Sequence, residues 1–247
     1  MKHCLLILAP LAAFPAWAGY VDEVKADLPV AYWRLAESTP APIEVQAVNR
    51  GNQGTQFNGI YRGGVALGQP GALTGDANTS ALFSPAAGQY VEVPYSPIFN
   101  PAFTLSVELW AKVTGGSGFR SPLASLTTSG QGNFGYVFYV TDQGQWQFRT
   151  ARGTFSESYN VVTGPAAQTD VWTHLVGIYN GDFPSARTQF YVNGQFVGEV
   201  EGLAEMNQTM PLHIGAGAVG QGTPANHFQG GIDEVAIYER ILSPTEI

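Results

Sequence analysis

Apolar and polar residues alternate along much of the chain with the period of two that is typical of β-strands. In residues 103–113 every odd position is apolar and most even positions are polar, which predicts a half-buried strand. Trp110 breaks this pattern because it stands on the polar side, so that side is predicted to be partly covered or to offer an adhesive surface. Shorter runs of the same kind predict strands at residues 90–93, 134–141, 145–150, 172–179, 212–215 and 232–238.

Local signals refine this all-β prediction. Residues 188–192 and 195–200 flank Asn193-Gly194, a pair that tolerates positive φ, so they are predicted to form a hairpin. Residues 134–140 are apolar on both faces apart from Gly135, which is typical of a strand inside a sandwich. Helical spacing is found at residues 21–28, where one or two turns are predicted ahead of Pro29.

Composition and charge narrow the class of protein. Only 12% of the 247 residues are charged, while 30 Gly and 16 Pro favour short strands joined by turns over long helices. The 19 acidic and 11 basic residues give a net charge of −8, which argues against binding to nucleic acid or to an anionic membrane. A soluble single domain is therefore expected.

The N-terminus has the pattern of a secretory signal peptide. Lys2 and His3 precede an apolar run, and Ala16-Trp17-Ala18 supplies small residues at a cleavage site, so residues 1–18 are predicted to be removed. A membrane anchor is disfavoured because the run is short and contains prolines. The protein is expected to be secreted, or held in the periplasm or at the cell surface, with no membrane insertion after cleavage. Cys4 lies in the removed segment, so no disulfide is expected.

The chain ends on a helix-start signal. Ser243, Pro244 and Glu246 combine a capping residue, a proline at the first helical position and an acid three residues after the cap. Such a signal followed by one further residue predicts that these residues are a fragment of a longer protein.

Several short sequence motifs occur in the same order as in a known protein family. The sequence is similar to the LamG-like jellyroll domains of the concanavalin A-like lectin/glucanase superfamily, in bacterial secreted form. The resemblance implies a two-sheet antiparallel β-sandwich with jellyroll topology at residues 30–247, preceded by a short lead-in at residues 19–29. Asn49 replaces an Asp that relatives often carry, and the family usually continues beyond Ile247. The matching phrases are AYWRL at 31–35, YVEVP at 90–94, FTLSVELW at 103–110, WTHLVG at 172–177, YVNG at 191–194 and FQGGIDEV at 228–235.

The superfamily includes glycoside hydrolases, so the resemblance also admits a catalytic function. Hydrolysis usually needs two carboxylates, and the E-x-D-x-x-E pattern of the glucanase branch is broken here by Gly231 and Ala236. A Gly-x-Ser-x-Gly nucleophile elbow is also missing. His174, His213 and His227 do not have zinc-hydrolase spacing, and His174 is predicted to be a hydrogen-bonded structural residue. The domain itself is therefore expected not to be an enzyme.

The resemblance also implies a candidate calcium site, because many jellyroll lectins bind calcium through oxygen ligands at the ends of loops. The candidate ligands are Asp76 and Asn78, in one loop, and Asp233, in the closing strand. The alternative is that Asp76 and Asn78 form an ordinary turn and that Asp233 caps a strand.

Binding is the function that remains after these exclusions. Aromatic rings stack on sugars while polar side chains fix the hydroxyls, and a glycan is the favoured ligand. The alternative is a structural or adhesive module that contacts a surface protein or the cell envelope. Convergence of the aromatics in one exposed groove favours the glycan, and burial in the core counts against it. The candidate ligand-binding residues are Trp110, Tyr139, Trp146, Arg149 and Tyr191.

Overall fold

A computed structural model describes residues 19–38, 46–129, 132–154, 159–182 and 184–247. The predicted signal peptide lies outside these described residues. Within them, no helix is both long enough and apolar enough to cross a membrane.

The described residues form one α-helix, α1 (Tyr20–Ala26), three short 3-10 turns (Gly54–Phe57, Pro85–Ala87 and Pro97–Phe99) and 18 strands. In chain order the strands are β1 (Ala31–Trp33), β2 (Gln46–Ala47), β3 (Gly59–Arg62), β4 (Ala66–Pro70), β5 (Thr79–Phe83), β6 (Tyr90–Val93), β7 (Thr104–Val113), β8 (Arg120–Ser129), β9 (Gly132–Val140), β10 (Gln145–Ala151), β11 (Tyr159–Ala166), β12 (Trp172–Asn180), β13 (Arg187–Val192), β14 (Gln195–Glu201), β15 (Leu212–Ile214), β16 (Gly217–Val219), β17 (Thr223–Ala225) and β18 (Gly230–Tyr238).

These strands build two large antiparallel sheets, which confirms the predicted β-sandwich. Sheet A has the order β14-β13-β12-β7-β18-β5-β4, and β1 pairs with the second half of β18. Sheet B has the order β11-β10-β9-β8-β15-β6-β3-β2. The hairpin β16–β17 forms a separate two-stranded sheet that packs against sheet B. Non-sequential neighbours such as β7 and β18 arise because the chain crosses repeatedly between the sheets.

The predicted strand patterns agree with the observed elements. In β7 the odd positions from Leu105 to Val113 are buried, whereas Phe103 lies just before the strand and is 69% exposed. The hairpin prediction is confirmed, since Asn193 and Gly194 have φ values of 51° and 73° between β13 and β14. Strand β9 is hydrogen-bonded on both sides, by β8 and β10, as its two apolar faces predicted.

The main core fills the space between the sheets. Leu109 of sheet A and Phe138 of sheet B both lie in it with no exposed surface, as does Trp33 of β1. Complete burial of one such side chain contributes about 1.5–3 kcal/mol. A core of this size can hold the fold without disulfides.

The outer face of sheet A carries a second apolar cluster, which α1 and the C-terminal residues cover. Val24 of α1 packs there with Tyr32, Tyr238 and Leu242. The predicted helical lead-in is confirmed by α1. The capping signal at Ser243 is also observed as a turn, in which the Ser243 amide donates to Glu246 Oε2 over 2.7 Å.

Candidate functional site

The outer face of sheet B presents a cluster of aromatic rings around one arginine. Alternation in β10 sends Phe148 into the core and Gln147 and Arg149 to the opposite face. The strand register then places Arg149 between Val137 of β9 and Val161 of β11. Because paired residues share a face, side chains from three adjacent strands meet at this point.

Three rings surround the guanidinium of Arg149. Its Cζ lies 5.0 Å from the ring centre of Phe119, 5.1 Å from that of Tyr139 and 5.6 Å from that of Tyr159. These distances are within the range of cation–π attraction. We refer to Phe119, Tyr139, Arg149 and Tyr159 as the Arg149 cluster.

Hydrogen bonds fix one side of the guanidinium and leave the other side open. Arg149 Nε donates to Gln147 Oε1 over 2.6 Å, and Gln147 Nε2 donates to Thr163 Oγ1 over 2.7 Å. Among the described residues the η nitrogens of Arg149 have no hydrogen-bond partner, and neither is buried away from solvent. Burial lowers the pKa of Arg149, but a guanidinium stays charged at neutral pH.

The cluster has a buried base and an exposed rim. Tyr139 is 7% exposed and packs against Ala218 of the hairpin β16–β17. Phe119 is 36% exposed and meets Tyr139 edge to face at 5.3 Å. Tyr139 therefore supports Arg149 from below, and Phe119 offers an accessible ring beside it.

Of the predicted ligand-binding residues, Tyr139 and Arg149 lie together, but the other three lie elsewhere. Trp146 is 1% exposed in the main core, so its ring is not available to a ligand. Trp110 and Tyr191 are on sheet A, where Trp110 stacks on His174 at 5.1 Å and Tyr191 is largely buried. Trp110, Trp146 and Tyr191 thus do not form one exposed groove, so by the criterion given above these three residues count against a glycan site rather than for it. Phe119 and Tyr159 were missed because only the fold brings them to Arg149.

A buried polar network lies under α1 on sheet A, and the sequence reasoning did not find it. Glu108 Oε2 accepts from the Tyr20 hydroxyl over 3.0 Å and is 2.8 Å from His174 Nε2. Its Oε1 accepts from the hydroxyl of Tyr238. The prediction that His174 is a hydrogen-bonded structural residue is confirmed. In the sequence, the large ring of Trp110 on the otherwise polar side of β7, two residues after Glu108, was the signal that this side of the strand is covered.

The predicted calcium ligands lie near one another around Arg34. The Arg34 guanidinium pairs with Asp76 Oδ2 over 2.6 Å and with Glu234 Oε1 over 2.7 Å. Asn78 turns its amide nitrogen toward Glu234, so its side chain donates here. The positive charge of Arg34 therefore compensates these carboxylates, and the described residues contain no cluster of three or more His, Cys, Asp or Glu suited to a metal. As arranged, this group does not fit calcium.

Asp233 differs from its neighbours. Its Oδ2 accepts from the Ala72 amide over 2.8 Å, while Oδ1 is buried without a partner. Burial raises the pKa of Asp233 to about 7, because water is no longer available to solvate the charged form. Asp233 fastens the loop at Ala72 to β18.

Sequence comparison with protein families gives one match. A family model described as the concanavalin A-like lectin/glucanases superfamily matches residues 85–247, about two thirds of the chain. A comparison with the curated proteins gives no significant match.

Solved structures of low sequence identity share the fold. A structure of botulinum neurotoxin type C, whose cell entry is described as dependent on two ganglioside molecules, has a TM-score of 0.60 at 13% identity and covers 89% of this chain. The binding domain of Paraclostridial Mosquitocidal Protein 1 has a TM-score of 0.59 at 14% identity and covers 90% of this chain. This chain spans 50% and 51% of those two chains, respectively. The CBM40 module of a Ruminococcus gnavus IT-sialidase is matched at 18% identity and a TM-score of 0.48, over 59% of this chain and 80% of that module.

Proposed function

Because the chain belongs to the concanavalin A-like lectin/glucanases superfamily, we propose that it is a non-catalytic module that binds a glycan at the Arg149 cluster. The observation that carries this proposal is the arrangement of the guanidinium. It is charged, held over three rings and open to solvent through its η nitrogens.

The chemistry of the cluster suits a sugar. A pyranose has apolar C–H faces that pack on aromatic rings, and its hydroxyls accept hydrogen bonds from guanidinium groups. Phe119 supplies an exposed ring, Arg149 supplies donors, and Thr163 lies exposed beside them on β11. The site is fixed before a ligand arrives, which lowers the entropy cost of binding.

The carboxylates of the chain support a binding role over a catalytic one. Glycosidases need two carboxyl groups that flank the scissile bond. Among the described residues, no Asp or Glu makes a hydrogen bond or ion pair with Arg149. Glu108 and Glu234 are both buried and are engaged by tyrosines, His174 and Arg34.

The fold relationship adds modest support for the ligand class. Botulinum neurotoxin type C, with the same fold, is described as interacting with gangliosides, which are glycan-bearing lipids. We also propose, from residues 1–18, that the protein is exported.

The experiment is a glycan array probed with the wild-type domain and with Phe119→Ala and Arg149→Ala. Both variants are expected to lose binding to the glycans that the wild type retains. Phe196→Ala is the matched control, because Phe196 is 53% exposed but lies on sheet A. Unchanged binding by Arg149→Ala would refute the site. A wild-type array without any bound glycan would refute the function and favour an adhesive module that contacts a surface protein.

A further inference from the structure

We propose that the glycan recognised at the Arg149 cluster carries a carboxylate, and that Arg149 binds this carboxylate through its two η nitrogens. This inference rests on the proposed glycan-binding function, and it names the chemical class of the ligand: a saccharide with an isolated acidic group, such as a sialic acid or a uronic acid.

The first argument is the missing counterion. Arg34, Arg62, Arg187 and Arg240 pair with carboxylates. Arg120 is buried and has no acidic partner among the described residues, but its guanidinium donates to the Gly118 carbonyl. Acidic residues outnumber basic ones, 19 to 11, so counterions are abundant in the chain. Arg149 nevertheless has no acidic partner among the described residues, although it is partly buried. A desolvated cation is stabilised most when an anion binds it.

The second argument is the orientation of the guanidinium. Gln147 holds the Nε edge, Thr163 holds Gln147, and the three rings restrict the plane of the group. The two η nitrogens remain as a pair of parallel donors. Such a pair matches the two oxygens of a carboxylate in a bidentate arrangement.

The third argument concerns the number of charges. A single guanidinium neutralises one negative charge, and the aromatic side chains around it add none. The net charge of −8 disfavours long polyanions, which would be repelled by the rest of the surface. A saccharide with one carboxylate beside neutral sugar rings therefore fits better than a heavily sulfated chain.

The test measures affinities for matched acidic and neutral saccharides by isothermal titration calorimetry. The probes are 3′-sialyllactose with its methyl ester as the neutral match, and a trisaccharide that contains a single uronic acid with its carboxyl-reduced form. At least one acidic probe is expected to bind about tenfold or more tightly than its neutral match. The pair that shows this difference identifies whether a sialic acid or a uronic acid is preferred. Equal affinities within both pairs would overturn the inference.

Variants then assign the acidic preference to Arg149. Arg149→Gln is expected to reduce the affinity for the acidic probe to that of the neutral one. Arg149→Lys, which keeps the charge but loses the paired donors, should give an intermediate affinity. Arg187→Gln on sheet A is the control, and melting temperatures verify that each variant is folded. An acidic preference that persists in Arg149→Gln would overturn the assignment.

The array described above separates this inference from the proposed function. If the array ligands are all neutral and depend on Arg149, the glycan-binding function stands and the acidic inference fails. If the array is blank, the function itself fails.

Discussion

Removal of the Glu108 carboxylate is the sharpest test of how α1 is held on sheet A. Glu108 is 3% exposed and receives hydrogen bonds from the tyrosine hydroxyls of α1 and β18, and it contacts the imidazole of His174. We expect Glu108→Ala to destabilise the fold and to loosen α1 in the same step.

The magnitude follows from the partners left behind. Tyr238 and His174 are both buried, and each would lose its acceptor or donor partner at this site. A buried polar group without a hydrogen-bond partner lowers the free energy of unfolding by about 1–3 kcal/mol, so the two groups together are expected to lower it by about 2–6 kcal/mol. This loss is a large fraction of the free energy of unfolding of a typical domain, which is about 5–15 kcal/mol. Tyr20→Phe removes only one half-buried donor and should cost about 1 kcal/mol.

The assay is equilibrium urea unfolding followed by tryptophan fluorescence. Trp110 stacks on His174 and therefore reports on the same region. Glu199→Ala is the control, because it breaks an exposed ion pair with Arg187 that is worth about 0–1 kcal/mol. A Glu108→Ala free energy of unfolding within about 0.5 kcal/mol of wild type would contradict the reasoning.

Three further predictions concern packing, titration and metal. Gly177→Ala should cost about 1–3 kcal/mol in urea unfolding, because its Cβ would lie 2.5 Å from the buried Phe148 ring; an unchanged midpoint would refute this. Arg240 lowers the pKa of Glu246 to about 2. The stabilisation by this ion pair is therefore complete at pH values above the Glu246 pKa of the unfolded chain, and it is lost as the pH falls through about 2. NMR titration should show a raised Glu246 pKa in Arg240→Gln, and no rise would exclude Arg240 as the cause. With Arg34 in the centre of the predicted calcium site, a chelator should leave the melting temperature unchanged, and a lower melting temperature would show that calcium binds.

The strands and their faces could be predicted because they depend on local patterns. The alternation in β7 indicates which side chains are buried, and the Asn193-Gly194 pair indicates the positive φ values of a tight turn. Both properties depend on only a few neighbouring residues. The order of the sequence motifs shared with the family predicted the two-sheet β-sandwich. Pairings between distant strands, such as β7 with β18, depend on tertiary packing that the alternation alone does not encode.

The site could be predicted only in part. Tyr139 and Arg149 were identified from residue type, but type alone did not distinguish them from Trp146, which the strand register sends into the core. Phe119 comes from a loop and Tyr159 from another strand, so only the folded chain shows that they surround Arg149. The role of Arg34 in the predicted calcium site was hidden for the same reason, because its carboxylate partners are 42 and 200 residues away in sequence.

The most direct test of the central claim is NMR mapping of the bound ligand. The backbone amides of the isotopically labelled domain would be followed during titration with the glycan that binds best on the array. We predict that the shifted signals concentrate on the outer face of sheet B, at Phe119, Tyr139, Arg149 and Tyr159, and that the Arg149 side-chain Nε–H signal moves with them. Shifts confined to the outer face of sheet A, around Trp110 and Tyr191, would contradict the account.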